Sequence, residues 1–202
     1  QNNNIIFKYF DDSEIYSDMD YGLCVSFGAI FKADFINGNA PIFNIHLSRL
    51  PELRGPSPVE SAILNGNKLF GYTIFKIVEE VDEGPILYQN DVEVLENYSS
   101  NVYEALLEDF IRSFKSIDFK SPLQIQEGNV SVTSKFVKTD YMISKEDTIY
   151  EAKNKIKAFD ILGPAYIQYD SKIIKIHKYT EDNSDFKLSL IHISEPTRPL
   201  II

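Results

Sequence analysis

The chain has one cysteine, Cys24, among its 202 residues. A single thiol excludes an internal disulfide framework and a cysteine-rich zinc site. It fits a reducing compartment, and Cys24 itself reads as a small buried hydrophobe. No apolar run approaches the roughly 20 residues that a membrane-spanning helix needs. No secretory leader is visible: Gln1-Asn2-Asn3-Asn4 is polar, uncharged and without an initiator methionine, so the chain is expected to begin inside a longer protein. Positive charge is scarce, with 20 Lys and Arg against 30 Asp and Glu, a net −10. That argues against indiscriminate nucleic-acid binding. The deficit is uneven. Residues 130–180 hold nine lysines and six acidic residues, a local +3, and leave −13 to the rest. Such a split suggests a division of labour between the two halves.

What is present suffices for a packed core. Hydrophobic residues make up 44% of the chain, and its length suits one domain plus a smaller one, or two small ones. Ile5–Phe10 has the composition of a short strand. Gly22–Phe27 and Ala40–Ile45 are short apolar runs of the kind a sheet buries on both faces. Gly28 permits a sharp turn at the end of the first, and Asn37-Gly38-Asn39 is a turn before the second. Ser57-Pro58-Val59-Glu60 predicts a capped helix start, with Asn65-Gly66 as its stop. Gly71–Val78 and Ile86–Leu95 predict strands. From Asn101 to Phe114 the apolar spacing turns helical, with Val102, Leu106, Phe110 and Phe114 on one stripe and Tyr103, Leu107 and Ile111 beside it. Asn101 and Glu104 form a candidate capping box. Pro122 and Glu127-Gly128-Asn129 mark a connection. Beyond it the pattern predicts a strand over Val130–Val137, a capped helix over Thr148–Phe159 and a hairpin pairing Ala165–Tyr169 with Lys172–Ile176.

The residue types that carry chemistry concentrate in Asn44-Ile45-His46-Leu47-Ser48 and in Val81-Asp82-Glu83-Gly84-Pro85. On an extended segment, residues i and i+2 point to the same side, so Asn44 and His46 can face one pocket. An amide and an imidazole can both donate to a carbonyl oxygen that becomes an oxyanion, and an imidazole can also move a proton. Asp82 can orient that imidazole and assist removal of a proton from an attacking amine. Ser48 and the turn after it can offer hydroxyl and backbone donors. Each of these features has a commoner structural reading: Asn-x-His recurs by chance, Asp-x-Gly usually makes a turn, and Arg54 is ordinarily a surface or ion-pair residue. His177 reads as exposed on an alternating strand.

Together the motifs resemble the Asn-x-His-x-Ser-x-Leu-Pro-x-x-Arg-Gly signature of 10-formyltetrahydrofolate-dependent formyltransferases, here Asn44 to Gly55, and within that superfamily the methionyl-tRNA formyltransferases. Ala62–Gly66, Gly71–Ile74 and Val81–Leu87 follow in the family's order, and Ser26–Ile30 resembles its aromatic-glycine loop beside the folate. Leu47 and Arg49 depart from the family's usual glycine or proline and leucine. The resemblance implies an α/β fold: a partial Rossmann-like, mostly parallel sheet lacking its first βα units (1–120), a linker (121–129) and the start of a small β-barrel, OB-like domain (130–187). Residues 188–202, which contain His192, look like translated vector sequence. The resemblance implies transfer of a formyl group from 10-formyltetrahydrofolate to methionyl initiator tRNA by a cytoplasmic or organellar monomer without metal or membrane. Catalysis falls to Asn44, His46 and Asp82, and donor binding to Phe27, Gly28, Ser48, Arg49, Leu50, Pro51, Val78, Val81 and Gly84. Formyl transfer to an amino sugar or glycinamide ribonucleotide, and a non-catalytic folate- or RNA-binding fragment, are the alternatives.

Overall fold

The computed structural model describes residues 19–25, 30–95, 97–182 and 185–187. The expected Ile5–Phe10 strand, the Phe27-Gly28 turn and the 188–202 tail lie outside them. A four-stranded sheet runs in sequence order, β1 (Gly22–Val25), β2 (Ile42–His46), β3 (Leu69–Lys76) and β4 (Ile86–Glu93). β1 and β2 are parallel, while β2–β3 and β3–β4 are antiparallel, so the described sheet is mixed. A short helix, α1 (Ala33–Gly38), makes the crossover between the parallel pair. The expected Asn37–Asn39 turn is the end of that helix, where the Asn39 side chain donates to the Phe35 carbonyl at 2.8 Å. β2 extends through His46, which is thus the last strand residue rather than the first beyond it.

The core follows from strand alternation. Phe43 and Ile45 of β2, with Phe70, Tyr72 and Ile74 of β3, form one buried face. It is covered by α2 (Pro58–Leu64) through Val59, Ala62 and Ile63, and by α3 (Ser99–Phe114) through Val102 and Leu106. The buried stripe of α3 is narrower than its apolar spacing suggests: Leu107 and Ile111 are exposed. A smaller cluster of Leu50, Phe75 and Ile86 lies apart from the main core.

Two predicted caps are replaced by distant partners. Ser57 makes no side-chain cap at α2; its N–H donates to the Thr133 hydroxyl, and Glu60 is buried against the Tyr103 hydroxyl. Asn101 and Glu104 do not cap α3, which starts two residues earlier. There Asp160 accepts from the Ser99 and Ser100 hydroxyls and from the Ser100 N–H. By contrast α4 (Ile149–Ala158) has its predicted capping box, with Thr148 and Glu151 bonding reciprocally.

Val130–Val137 is not a strand. Ser131 and Thr133 face the 51–57 segment and bond to it, with a single parallel bridge between Arg54 and Val132, while Val130, Val132 and Val137 are exposed. α4 packs on α2, and Ala158 and Phe159 complete the main core. β5 (Ala165–Tyr169) and β6 (Lys172–Ile176) form the predicted hairpin, with Asp170 at φ 51° in its turn. β7 (Thr180–Asp182) and β8 (Asp185–Lys187) form a second.

Candidate active site

Because Phe43 and Ile45 turn into the core, Asn44 and His46 take the opposite face of β2. Asn44 lies between Cys24 and Phe75 in register, and His46 opposite Thr73. His46 is 6% exposed. Asn44 is half-buried, and its carboxamide bonds to none of the described residues.

The chain then folds into a loop built around Thr73. Its hydroxyl donates to the Ser48 carbonyl at 2.7 Å and accepts from the Leu50 N–H and the Gln89 amide, at 3.0 and 2.9 Å. That fills the capacity of one hydroxyl. The Ser48 hydroxyl donates to the Glu52 carbonyl at 2.6 Å, which closes the turn. The Leu50-Pro51 peptide is cis, and Leu53 sits at φ 58°. The Leu53 carbonyl lies 2.8 Å from His46 Nε2. A carbonyl only accepts, so Nε2 bears the proton and Nδ1 faces the other way.

Nδ1 faces Asp82. The Asp82 Oδ2 is 3.7 Å away, and both side chains are largely buried, at 7% and 12% exposure. That separation is too long for a hydrogen bond and short enough for a strong charge interaction with a protonated ring. The same oxygen accepts from the Gly55 N–H at 2.7 Å. Two glycines allow the approach. Gly55 has φ 106°, and a Cβ there would stand 2.6 Å from the Thr133 carbonyl; one on Gly84 would stand 1.7 Å from the Lys76 carbonyl. Asp82 itself is at φ 57°, a conformation that costs a non-glycine residue free energy unless its surroundings enforce it.

The surroundings are polar and distant in sequence. The Gln126 amide nitrogen donates to the Asp82 and Gly84 carbonyls, both at 2.8 Å. Its oxygen accepts from Arg54 Nε and Nη2, at 3.1 and 2.8 Å. Arg54 Nη1 reaches Glu83 at 2.9 Å. The Leu53 N–H donates to the Ser131 hydroxyl, the Arg54 N–H to the Ser131 carbonyl, and the Thr133 N–H to the Arg54 carbonyl.

Among the predicted site residues, the structure therefore joins His46 to Asp82 and sets Asn44 on their face. Leu50 and Pro51 are buried in the loop, Gly84 is buried, Val78 is half-buried and Val81 is exposed. Arg49 turns away to Asp91, at 2.8 Å, beside a groove lined by Leu53, Lys68 and Gly71. Phe27 and Gly28 lie outside the described residues. Thr73, Gln89, Gln126, Ser131 and Thr133 carry no local motif. The polar alternation of Ser131 and Thr133 is the one feature that set them apart in the sequence.

An amide donor, an imidazole and a carboxylate at one strand end form a set suited to moving an acyl group onto an amine. Residues 11–113 match the Formyl transferase family, and the chain belongs to it. It is 35% identical over 160 residues to the methionyl-tRNA formyltransferase of Thermosipho melanesiensis, which covers 78% of this chain and 52% of that protein. The chain spans about half the length of the curated relatives it matches. Its fold is shared by a methionyl-tRNA formyltransferase from Clostridium thermocellum, with TM-score 0.71, 21% identity, and coverage of 85% of this chain and 77% of that one. It is also shared by HypX from Aquifex aeolicus solved with tetrahydrofolic acid, with TM-score 0.68, 16% identity, and coverage of 82% and 30%.

Proposed function

We propose that this chain carries the reaction site of a methionyl-tRNA formyltransferase, which moves the formyl group of 10-formyltetrahydrofolate to the amino group of methionine on initiator tRNA. The observation that carries the reading is the His46–Asp82 pair on the face of β2 that Asn44 shares. The names of the relatives support the acceptor, and the tetrahydrofolic acid bound to HypX supports the donor.

In this reading the neutral amine attacks the formyl carbon, a C–N bond forms, and the carbonyl oxygen becomes an oxyanion. The Asn44 amide N–H and a ring N–H of His46 donate to it. In this structure Nε2–H is committed to the Leu53 carbonyl. An oxyanion is the stronger acceptor, so the exchange is favourable as charge develops. Asp82 holds the ring and takes the proton that leaves the amine. The oxyanion then collapses, the bond from the formyl carbon to N10 of the folate breaks, and N10 receives the proton that Asp82 took, so that tetrahydrofolate leaves as a neutral secondary amine. Ser48, Arg49, Leu50, Pro51, Val78, Val81 and Gly84, with Phe27 and Gly28, would line the donor's path. Residues 130–180, the positive part of the chain, would face the acceptor RNA.

The test is formyl transfer from 10-formyltetrahydrofolate to charged initiator tRNA, run beside sugar-nucleotide amines. Asn44→Ala, His46→Ala and Asp82→Asn should each lower kcat by about 10²- to 10³-fold. Near-normal turnover in these variants overturns the assigned roles, and preferential transfer to a sugar amine overturns the acceptor.

A further inference from the structure

The Asp82 loop has two backbone bonds of its own, from the Glu83 N–H to the Glu80 carbonyl at 3.3 Å and, at its neck, from the Lys76 N–H to the Pro85 carbonyl at 2.9 Å. The Asp82 carboxylate is turned toward His46 by a left-handed residue, and between Lys76 and Ile86 the chain has no strand or helix. The Asp82 and Gly84 carbonyls point out of the loop, and both end on one side chain, Gln126, from the stretch between α3 and α4. Gln126 has two amide hydrogens and uses one on each carbonyl. Its oxygen has two lone pairs and receives two guanidinium N–H bonds from Arg54. Every polar site of the carboxamide is therefore used, and all of it joins two segments: residues 51–55, which deliver the Leu53 carbonyl to His46, and residues 82–84, which deliver the carboxylate. Among the described residues Asp82 is the one acid at ion-pair distance from His46.

We propose that Gln126 is a positioning residue for formyl transfer. Through Asp82, Gly84 and Arg54 it fixes the distance between the His46 ring and the Asp82 carboxylate. It touches neither donor nor acceptor. This rests on the formyl-transfer reading of the site, and it adds a determinant outside the 11–113 stretch that matches the family.

The chemistry of glutamine is specific here. Glutamate at 126 keeps the size and strengthens the bond to Arg54, but it sets an acceptor oxygen against two carbonyls. Methionine keeps the length and removes all four bonds. A role in packing tolerates either; a role in positioning tolerates neither. A misplacement of about 1 Å at a reacting group can cost ~10²-fold in rate, so Gln126→Met and Gln126→Glu should each lower kcat at least about tenfold, with KM for the folate donor changed less than about threefold. In an Asp82→Asn background the second change should add little, because Gln126 acts through Asp82.

Amide hydrogen exchange reads the same brace without activity. The Gly55 N–H is protected by the Asp82 carboxylate. In both Gln126 variants its exchange should speed up at least about tenfold, while β3 amides such as that of Ile74 keep their protection. Unchanged Gly55 exchange, or full activity in Gln126→Glu, overturns the proposal. A variant that unfolds raises exchange at Ile74 as well; if both variants do so, Gln126 is a stability residue and the positioning role is rejected. If the unaltered chain transfers no formyl group, the formyl-transfer reading falls, and the Gly55 exchange still decides whether Gln126 holds the loop.

Discussion

At the scale of single residues, the least expected side chain is Glu60. It is 1% exposed on the first turn of α2, and its nearest partner is the Tyr103 hydroxyl, which donates at 2.9 Å. Burial pushes its carboxyl above the ordinary value of 4.5; its own backbone and Tyr103 pull it back down in part, and the charge of Asp160 adds to the rise. The folded chain therefore favours the protonated acid. Its stabilising contribution is complete below about 4.5 and is lost as pH rises through the raised value. Glu60→Gln keeps an acceptor for Tyr103 and removes the ionisation. It should melt higher than the unaltered chain at pH 7, and the difference should vanish as the pH falls below 4.5. Thermal melts across that range check both the sign and the window. Tyr103 is shifted for the matching reason: burial, then the negative charge of Glu60, push its hydroxyl well above the ordinary tyrosine range. The shared placement of Asn44 and His46 was readable in the sequence because it is local. Asn44 and His46 sit two apart on a strand, and alternation alone gives them a common face. Glu60 was misread because its position fits a capping motif, and only the packing of α3 over α2 shows that the carboxylate turns inward.

At the scale of elements, partner distance decides what a sequence discloses. The α4 cap lies within four residues, Thr148 to Glu151, and was legible. The start of α3 is capped from Asp160, some 60 residues away, and was not. A carboxylate that bonds two hydroxyls and an N–H at a helix start also meets the positive end of the helix dipole. Asp160→Ala removes all three bonds, and by analogy with lost N-caps should cost about 1–2 kcal/mol; urea unfolding is the measurement. The 130–137 segment was expected as a strand because its valines alternate with polar residues. The segment instead attaches through its polar residues: Thr133 is buried against residues 54–57, Ser131 bonds to Leu53 and Arg54 at the surface, and the valines are exposed. Composition favours a strand; it cannot report that hydroxyls and backbone of this segment bond to a loop almost 80 positions earlier.

At the scale of the whole molecule, the two halves share one interior. Phe159, fully buried, meets Phe136 and Tyr141 edge-on and tilted, and lies in the cluster that holds Phe43, Ile45 and Ile63. Phe159→Ala should cost about 3–5 kcal/mol. Because the core is common, β3 amides such as that of Ile74 and α4 amides such as that of Ile156 should lose their protection in one transition in hydrogen exchange. Separate transitions would show that the halves fold independently. No helix among the described residues is long and apolar enough to cross a membrane.

The bonds from Ser131 and Thr133 to residues 53–57 have a consequence for synthesis. Chains emerge from the ribosome at roughly 5–20 residues per second, and these partners lie 76–79 positions apart. For several seconds Asn44, His46 and Asp82 are all outside the tunnel while the loop between them lacks its clasp. The protein acquires these three side chains early and their arrangement late.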